Sequence, residues 1–137
     1  MRAILDTNVL LSGLISPEGT PGLILRAWFN ERFTLVAHAL LVHELRTVTR
    51  RDGIRGKIRP AEAGRLVNQI ALSAAMPGKL PTVERSRDPY DDFLLALCEA
   101  GCADWLITGD KKDLLALKRH GPTRIGTPAE LAKILKL

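Results

Sequence analysis

Aromatic residues make up only 4% of the 137-residue chain. An array of rings for stacking bases is therefore not an evident feature. There are two cysteines, Cys98 and Cys102, and no histidine pair accompanies them. That excludes a zinc centre of thiolates and imidazoles, and Gly101 should end the helix between the two thiols, which read as reduced. No apolar run approaches the roughly 20 residues that span a bilayer, because charges interrupt every candidate. Asp6 and Asn8 likewise break the first apolar segment before it resembles a signal-peptide core. The sequence thus predicts a cytoplasmic protein with no membrane contact. It also lacks a GxxxxGK[ST] phosphate loop, and no serine or cysteine has an evident His/Asp partner pattern.

What is present is an ordinary globular balance, 46% hydrophobic and 26% charged residues, with a net charge of +5. The length predicts a single domain over residues 1–137, with one proper core. The positive charge is compatible with nucleic acid without establishing it. Against that background, carboxylates collect where predicted strands end.

Strand and helix signals alternate along the chain. Strands are predicted at 2–5, 33–37, 105–108 and 124–126, with a weaker candidate at 80–84. Helices are predicted at 7–14, 23–30 after a Thr20 cap, 39–50, from Pro60 to about Ala74, 89–100, 111–118 and 127–137. Thr127-Pro128-Ala129-Glu130 reads as a capping box. Residues 50–59 read as a basic loop. This order predicts an α/β fold, a three-layer α/β/α sandwich on a Rossmann-like, mostly parallel sheet.

In such folds ligands sit at the carboxyl ends of the strands. Asp6 follows the apolar run Ala3-Ile4-Leu5, and Asp110 follows Trp105-Leu106-Ile107-Thr108-Gly109. Glu44 falls on the stripe of its helix shared by Leu41, Leu45 and Val48. A core-facing acid costs several kcal/mol, roughly, unless paired or metal-bound. An arginine ion pair is the structural alternative. Asp88, Asp91 and Asp92 cluster at the start of a helix that is otherwise apolar nearly all round. Asp88 suits the N-cap and Asp91 the first turn, whereas Asp92, one turn from Asp88, adds like charge and asks for a cation. Asp113 could assist one turn beyond Asp110, itself also a candidate N-cap. Asp104 precedes its strand and belongs to the opposite edge. Asp6, Glu44, Asp92 and Asp110 would together suit one or two hard cations, Mg2+ or Mn2+, and so metal-assisted phosphodiester hydrolysis.

Four stretches carry a family likeness: Leu5-Asp6-Thr7-Asn8-Val9-Leu10, Glu44-Leu45, Ser86 to Asp92, and Ala103 to Leu114. With them the chain resembles PIN-domain proteins, specifically the toxin components of bacterial toxin–antitoxin pairs. The resemblance implies a metal-dependent endoribonuclease. By position it gives Asp6, Glu44, Asp92 and Asp110 as catalytic and metal-binding acids. Asn8 and Thr108 would support them, Asp91 matches a variable acid position, and Asp88 belongs to the motif without a clear ligand role. It further implies an RNA substrate, an antitoxin covering the acid pocket, and a homodimer. Tyr90 stands where an acid is common, and Ala37-His38-Ala39 stands where a Ser-Pro step commonly caps the Glu44 helix, so that helix is expected to lack its usual cap.

RNA would approach over Arg50, Arg51, Arg87, Lys111 and Lys112, although a charge run is commonly just solvated surface. Two other functions compete: an inactive PIN-like module that binds RNA or protein, and a DNA-directed nuclease. A covalent-aspartate phosphatase is disfavoured, because Asn8 occupies the position of its second aspartate.

Overall fold

The computed structural model describes residues 1–109 and 111–137. Its elements are β1 (Arg2–Leu5), α1 (Thr7–Ile15), α2 (Thr20–Phe29), β2 (Thr34–Leu35), α3 (Ala39–Thr49), α4 (Asp52–Arg55) and α5 (Pro60–Ser73). They continue with α6 (Pro89–Ala100), β3 (Trp105–Ile107), α7 (Lys112–Leu117), β4 (Arg119–His120), β5 (Thr123–Gly126) and α8 (Pro128–Leu135). The five strands form one sheet in the order β2-β1-β3-β5-β4. Its first three pairings are parallel, and only β4 and β5 run antiparallel. The fold is mixed α/β, a largely parallel sheet flanked by helices, as the alternating pattern predicts.

The sheet is central because its strands are apolar on both faces, as parallel strands covered by helices must be. Ala3, Ile4 and Leu5 of β1 and Leu106 and Ile107 of β3 are completely buried. From α6, Leu94, Leu95 and Leu97 join the same core. Four helices, α2, α5, α6 and α8, carry proline in their first two positions, where the missing N–H costs nothing. The predicted capping box is formed by Thr127 and Glu130.

The order of the strands decides where a site can lie. From β1 the chain passes to β2 on one side, then returns to β3 on the other. That reversal opens a crevice beside the carboxyl ends of β1 and β3. The ladder sets Leu5 opposite Ile107, so the residues that follow, Asp6 and Thr108, emerge side by side.

Several predicted boundaries differ. Residues 80–84 form no strand, and Pro81 within them has no N–H for a ladder. Ala75 instead bridges Val36 beyond the end of β2. The predicted basic loop holds one helical turn, α4. The Thr20 cap shifts by one residue, to Gly19. The β4–β5 hairpin was not anticipated. Its two-residue turn, Gly121-Pro122, uses glycine at a φ of 56°.

Candidate functional site

Asp6 performs three structural tasks at once. Its N–H donates to the Ile107 carbonyl across the ladder (2.9 Å), and its own carbonyl accepts from Val9 and Leu10 to start α1. Its carboxylate caps that helix, Oδ1 accepting from the Thr7 N–H at 2.7 Å. Oδ2 accepts from the Thr108 hydroxyl at 3.0 Å. Asp6 is 1% exposed and Thr108 is fully buried. A carboxylate held this deep needs such donors. Asn8 follows in the first turn of α1, half-buried.

Tyr90, in the first turn of α6, faces Asp6 across the crevice, its hydroxyl 3.1 Å from Thr7 Oγ1. Its ring packs on Phe93, and Phe93 meets His38 edge-on. The phenol is pushed up to about 12, chiefly by burial; the Thr7 hydrogen bond opposes this, while the charges of Asp6, Glu44 and Asp91 add to it. Three acids, from the end of β1, from α3 and from α6, thus act on the Tyr90 hydroxyl. Glu44 is half-buried on α3. That helix is capped after all: His38 Nδ1 accepts from the Leu40 N–H at 3.1 Å. Histidine is outside the usual set of capping residues, which is why the sequence reads as capless there.

Within α6 the acids separate by helical phase. Asp88 is the exposed N-cap, accepting from the Tyr90 N–H at 2.8 Å. Asp91 is 4% exposed and forms an ion pair with Lys111 Nζ at 3.0 Å. Asp92, expected among the converging acids, serves the loop before the helix instead: its Oδ1 accepts from the backbone N–H groups of Arg85 (3.0 Å) and Ser86 (2.7 Å). One residue is a turn of about 100° on a helix, so neighbouring aspartates cannot share a direction.

Lys111, expected as an RNA-facing cation, reaches into the acid pocket. Besides Asp91 it lies 4.7 Å from the centre of the Tyr90 ring. Burial tends to lower its pKa, but the hydrogen bond to Asp91 and the charges of Asp6, Asp91 and Asp88 outweigh that and raise it. The ammonium is therefore a firm part of the pocket. Arg50, Arg51, Arg87 and Lys112 remain exposed. Asp113 is exposed in the first turn of α7. Asp104 sits at the other edge, accepting from the Arg2 N–H at 2.8 Å. Asp110 lies outside the described residues.

The PIN domain family matches this chain over residues 2–112, from the first strand through the lysine that closes the pocket. The chain belongs to the PIN-domain family. Among curated proteins, none matches it. PIN domains are generally nuclease-like, and in this one the family region contains Asp6, Glu44, Asp91, Thr108 and Lys111. The chemistry of the donor set bears on the metal that such domains commonly use. Carboxylate oxygens are the ligands a hard cation prefers. Among the described residues, however, no three His, Cys, Asp or Glu side chains are grouped so as to hold a metal ion, and Asp91 is already engaged by Lys111. The described residues of this PIN domain thus form an acid pocket closed by an ammonium, and do not by themselves make a metal centre.

Sequence reasoning missed the Tyr90–Lys111 contact and the inward turn of Asp91. The available signal was the phase of α6: with Asp88 as cap and Pro89 first, Tyr90 and Asp91 follow in the turn that meets the end of β1.

Proposed function

We propose that this PIN-domain protein acts on RNA at the acid pocket, as an endoribonuclease hydrolysing phosphodiester bonds and as the toxin of a toxin–antitoxin pair. The observation that carries this reading is that the buried Asp6 and Asp91 and the half-buried Glu44 all act on Tyr90, at the crevice where the strand order reverses. Buried acids cost stability unless a cation compensates them, and such arrangements gather at functional sites. Asp92 and Asp110 are the third and fourth acids of this proposal, and the buried Asp91 is a further candidate beside them.

Magnesium or manganese is the cofactor that hydrolysis would call for, supplying an activated water and charge neutralisation at the phosphate. The described residues hold no three-ligand set for it among themselves. The chain's own residues do the following. Thr7 and Thr108 hold Asp6 by its two oxygens. Lys111 offers an ammonium that an incoming phosphate can share with Asp91. The antitoxin would be a small partner covering this pocket, and the toxin a homodimer.

A second reading, a PIN-domain module that binds RNA or protein without cutting, is favoured by one observation. Lys111 already neutralises Asp91, and a carboxylate satisfied by a resident ammonium has no need of a metal. The test is cleavage of an RNA and single-stranded DNA panel with manganese, magnesium or chelator. Wild type, Asp6→Asn and Lys111→Met are compared. Metal-dependent RNA cutting lost in Asp6→Asn supports the ribonuclease, and DNA cut in preference makes it a DNA nuclease. RNA bound but uncut with every ion, in wild type and Lys111→Met alike, establishes the binding module. Cutting that survives Asp6→Asn refutes this pocket as the active site.

A further inference from the structure

A large cleft lies away from the acid pocket, between α3, α4 and α5. It has a volume of about 850 Å³. Arg46 and Arg50 of α3 and Arg55 of α4 line it, over a floor that includes Ile58 and Val67, both buried. Among the described residues no carboxylate lies within 4.0 Å of the three guanidinium groups, the ion pairs there being Lys111–Asp91 and His120–Glu99. Residues 46–65 hold seven Lys or Arg against two Asp or Glu, a net +5 that equals the net charge of the whole chain. The remainder of the chain is neutral, so this one segment carries the whole excess of positive charge, and three of its seven cations line the cleft.

Gly64 adds a second, independent observation. It sits inside α5, where glycine is a poor helix former, and a Cβ placed on it would meet nothing within 4 Å. Packing against the protein does not demand glycine there. Its effect is to leave the cleft wall bare to the backbone, where another chain can approach closely.

We propose that this cleft binds the phosphate backbone of single-stranded nucleic acid. The proposal rests on the nucleic-acid reading above and says where the strand is held. Guanidinium groups match phosphate oxygens through paired hydrogen bonds. No aromatic ring lines the cleft, so bases are not stacked there and the grip is tolerant of sequence. The cleft and the acid pocket lie on different sides of α3. Arg46 and Glu44 are two residues apart, about 200° around the helix, and Glu44 acts on Tyr90 whereas Arg46 lines the cleft. Holding the strand and acting on it are therefore separable by mutation.

The experiment uses the whole chain in chelator, with fluorescence anisotropy of a labelled oligouridylate of about 12 nucleotides between roughly 50 and 200 mM salt. The combined Arg46→Ala, Arg50→Ala, Arg55→Ala variant should weaken binding about tenfold or more. It should also flatten the slope of log affinity against log salt by about two, three contacts at ~0.7 each. Gly64→Glu, which fills the cleft with a carboxylate and improves the helix, should weaken binding with circular dichroism unchanged. Unchanged binding and slope in the arginine and Gly64 variants overturn the proposal, as does a wild type that binds no oligonucleotide. Displacement of the RNA by polyglutamate of matched charge, at lower concentration than by unlabelled RNA, also overturns it and assigns the cleft to an acidic protein. RNA bound by this cleft but never cut with any metal overturns the ribonuclease and leaves the cleft standing.

Discussion

Replacing Asp6 in two ways separates its work in the fold from any work in chemistry. Asp6→Ala removes the cap of α1, a loss of about 0.5–2 kcal/mol. It also strips the buried Thr108 hydroxyl of its acceptor, roughly 1–3 kcal/mol more. The expected destabilisation is about 2–4 kcal/mol, a fall in Tm of some ~6–14 °C for a chain of this size. Asp6→Asn keeps the geometry. The amide oxygen accepts from the Thr7 N–H, the amide NH2 faces Thr108, and that hydroxyl can rotate to accept. Asparagine is as good a cap as aspartate, so this variant should stay within about 1 kcal/mol of wild type. Urea and thermal unfolding of all three proteins, with m-values compared, make the measurement. If Asp6→Asn falls as far as Asp6→Ala, the negative charge itself holds the crevice together. Loss of activity in Asp6→Asn would then say nothing about catalysis by this PIN domain.

Further outcomes are expected for Lys111, Tyr90, the two cysteines and two glycines. Lys111→Met leaves Asp91 buried without its ammonium and should cost about 1–3 kcal/mol, the lower end for broken pairs because the Lys111 side chain is 22% exposed; unfolding unchanged from wild type would contradict the ion pair. Tyr90 is the chain's one tyrosine, so absorbance titration should show phenolate only near pH 12. Because its folded pKa is raised, the native state keeps a proton that the unfolded chain releases, and stability should fall as pH rises from about 10 towards 12; a midpoint near 10 would refute the buried environment. Cys98 is buried, with its thiol pushed up to about 12 chiefly by desolvation, whereas Cys102 is exposed. A thiol reagent should therefore modify one cysteine in the folded protein and two in denaturant. Gly64→Ala should stabilise by about 0.5–1 kcal/mol. Gly22→Ala, whose Cβ would stand 2.1 Å from the Pro17 carbonyl oxygen, should destabilise by roughly 2–3 kcal/mol in the same unfolding assay.

The sheet and its site-bearing edge were legible because hydrophobic runs end in polar residues there: Ile4-Leu5-Asp6 and Leu106-Ile107-Thr108 each mark a strand and its carboxyl end. Proline at the openings of four helices fixed their starts. Asp88 as the cap of α6 and Asp91 in its first turn were legible, but a helix that is apolar nearly all round has no preferred face, so the inward turn of Asp91 to Lys111 was not. Lys111 was read as surface charge, since sequence shows a lysine beside a motif but not the reach of its side chain to Asp91. The β4 strand is two residues long, too short for any alternation to appear. Residues 80–84 misled in the other direction, because apolar character there serves packing of Leu80 and Val83 against the core rather than a ladder.

The ladder beneath Asp6 has a consequence for time. The Asp6 amide is bonded to Ile107 and the Thr108 amide to Gly126, 2.9 and 3.0 Å, in the buried centre of the sheet. Such amides trade their protons for deuterons only when the whole domain opens. The Arg85 and Ser86 amides depend on the Asp92 carboxylate along a loop whose Arg85 is exposed, and they should exchange through local opening many times faster. One wall of the pocket is then as long-lived as the protein itself, while the chain leading into the opposite wall opens far more often, so the crevice has a fixed jaw and a yielding one.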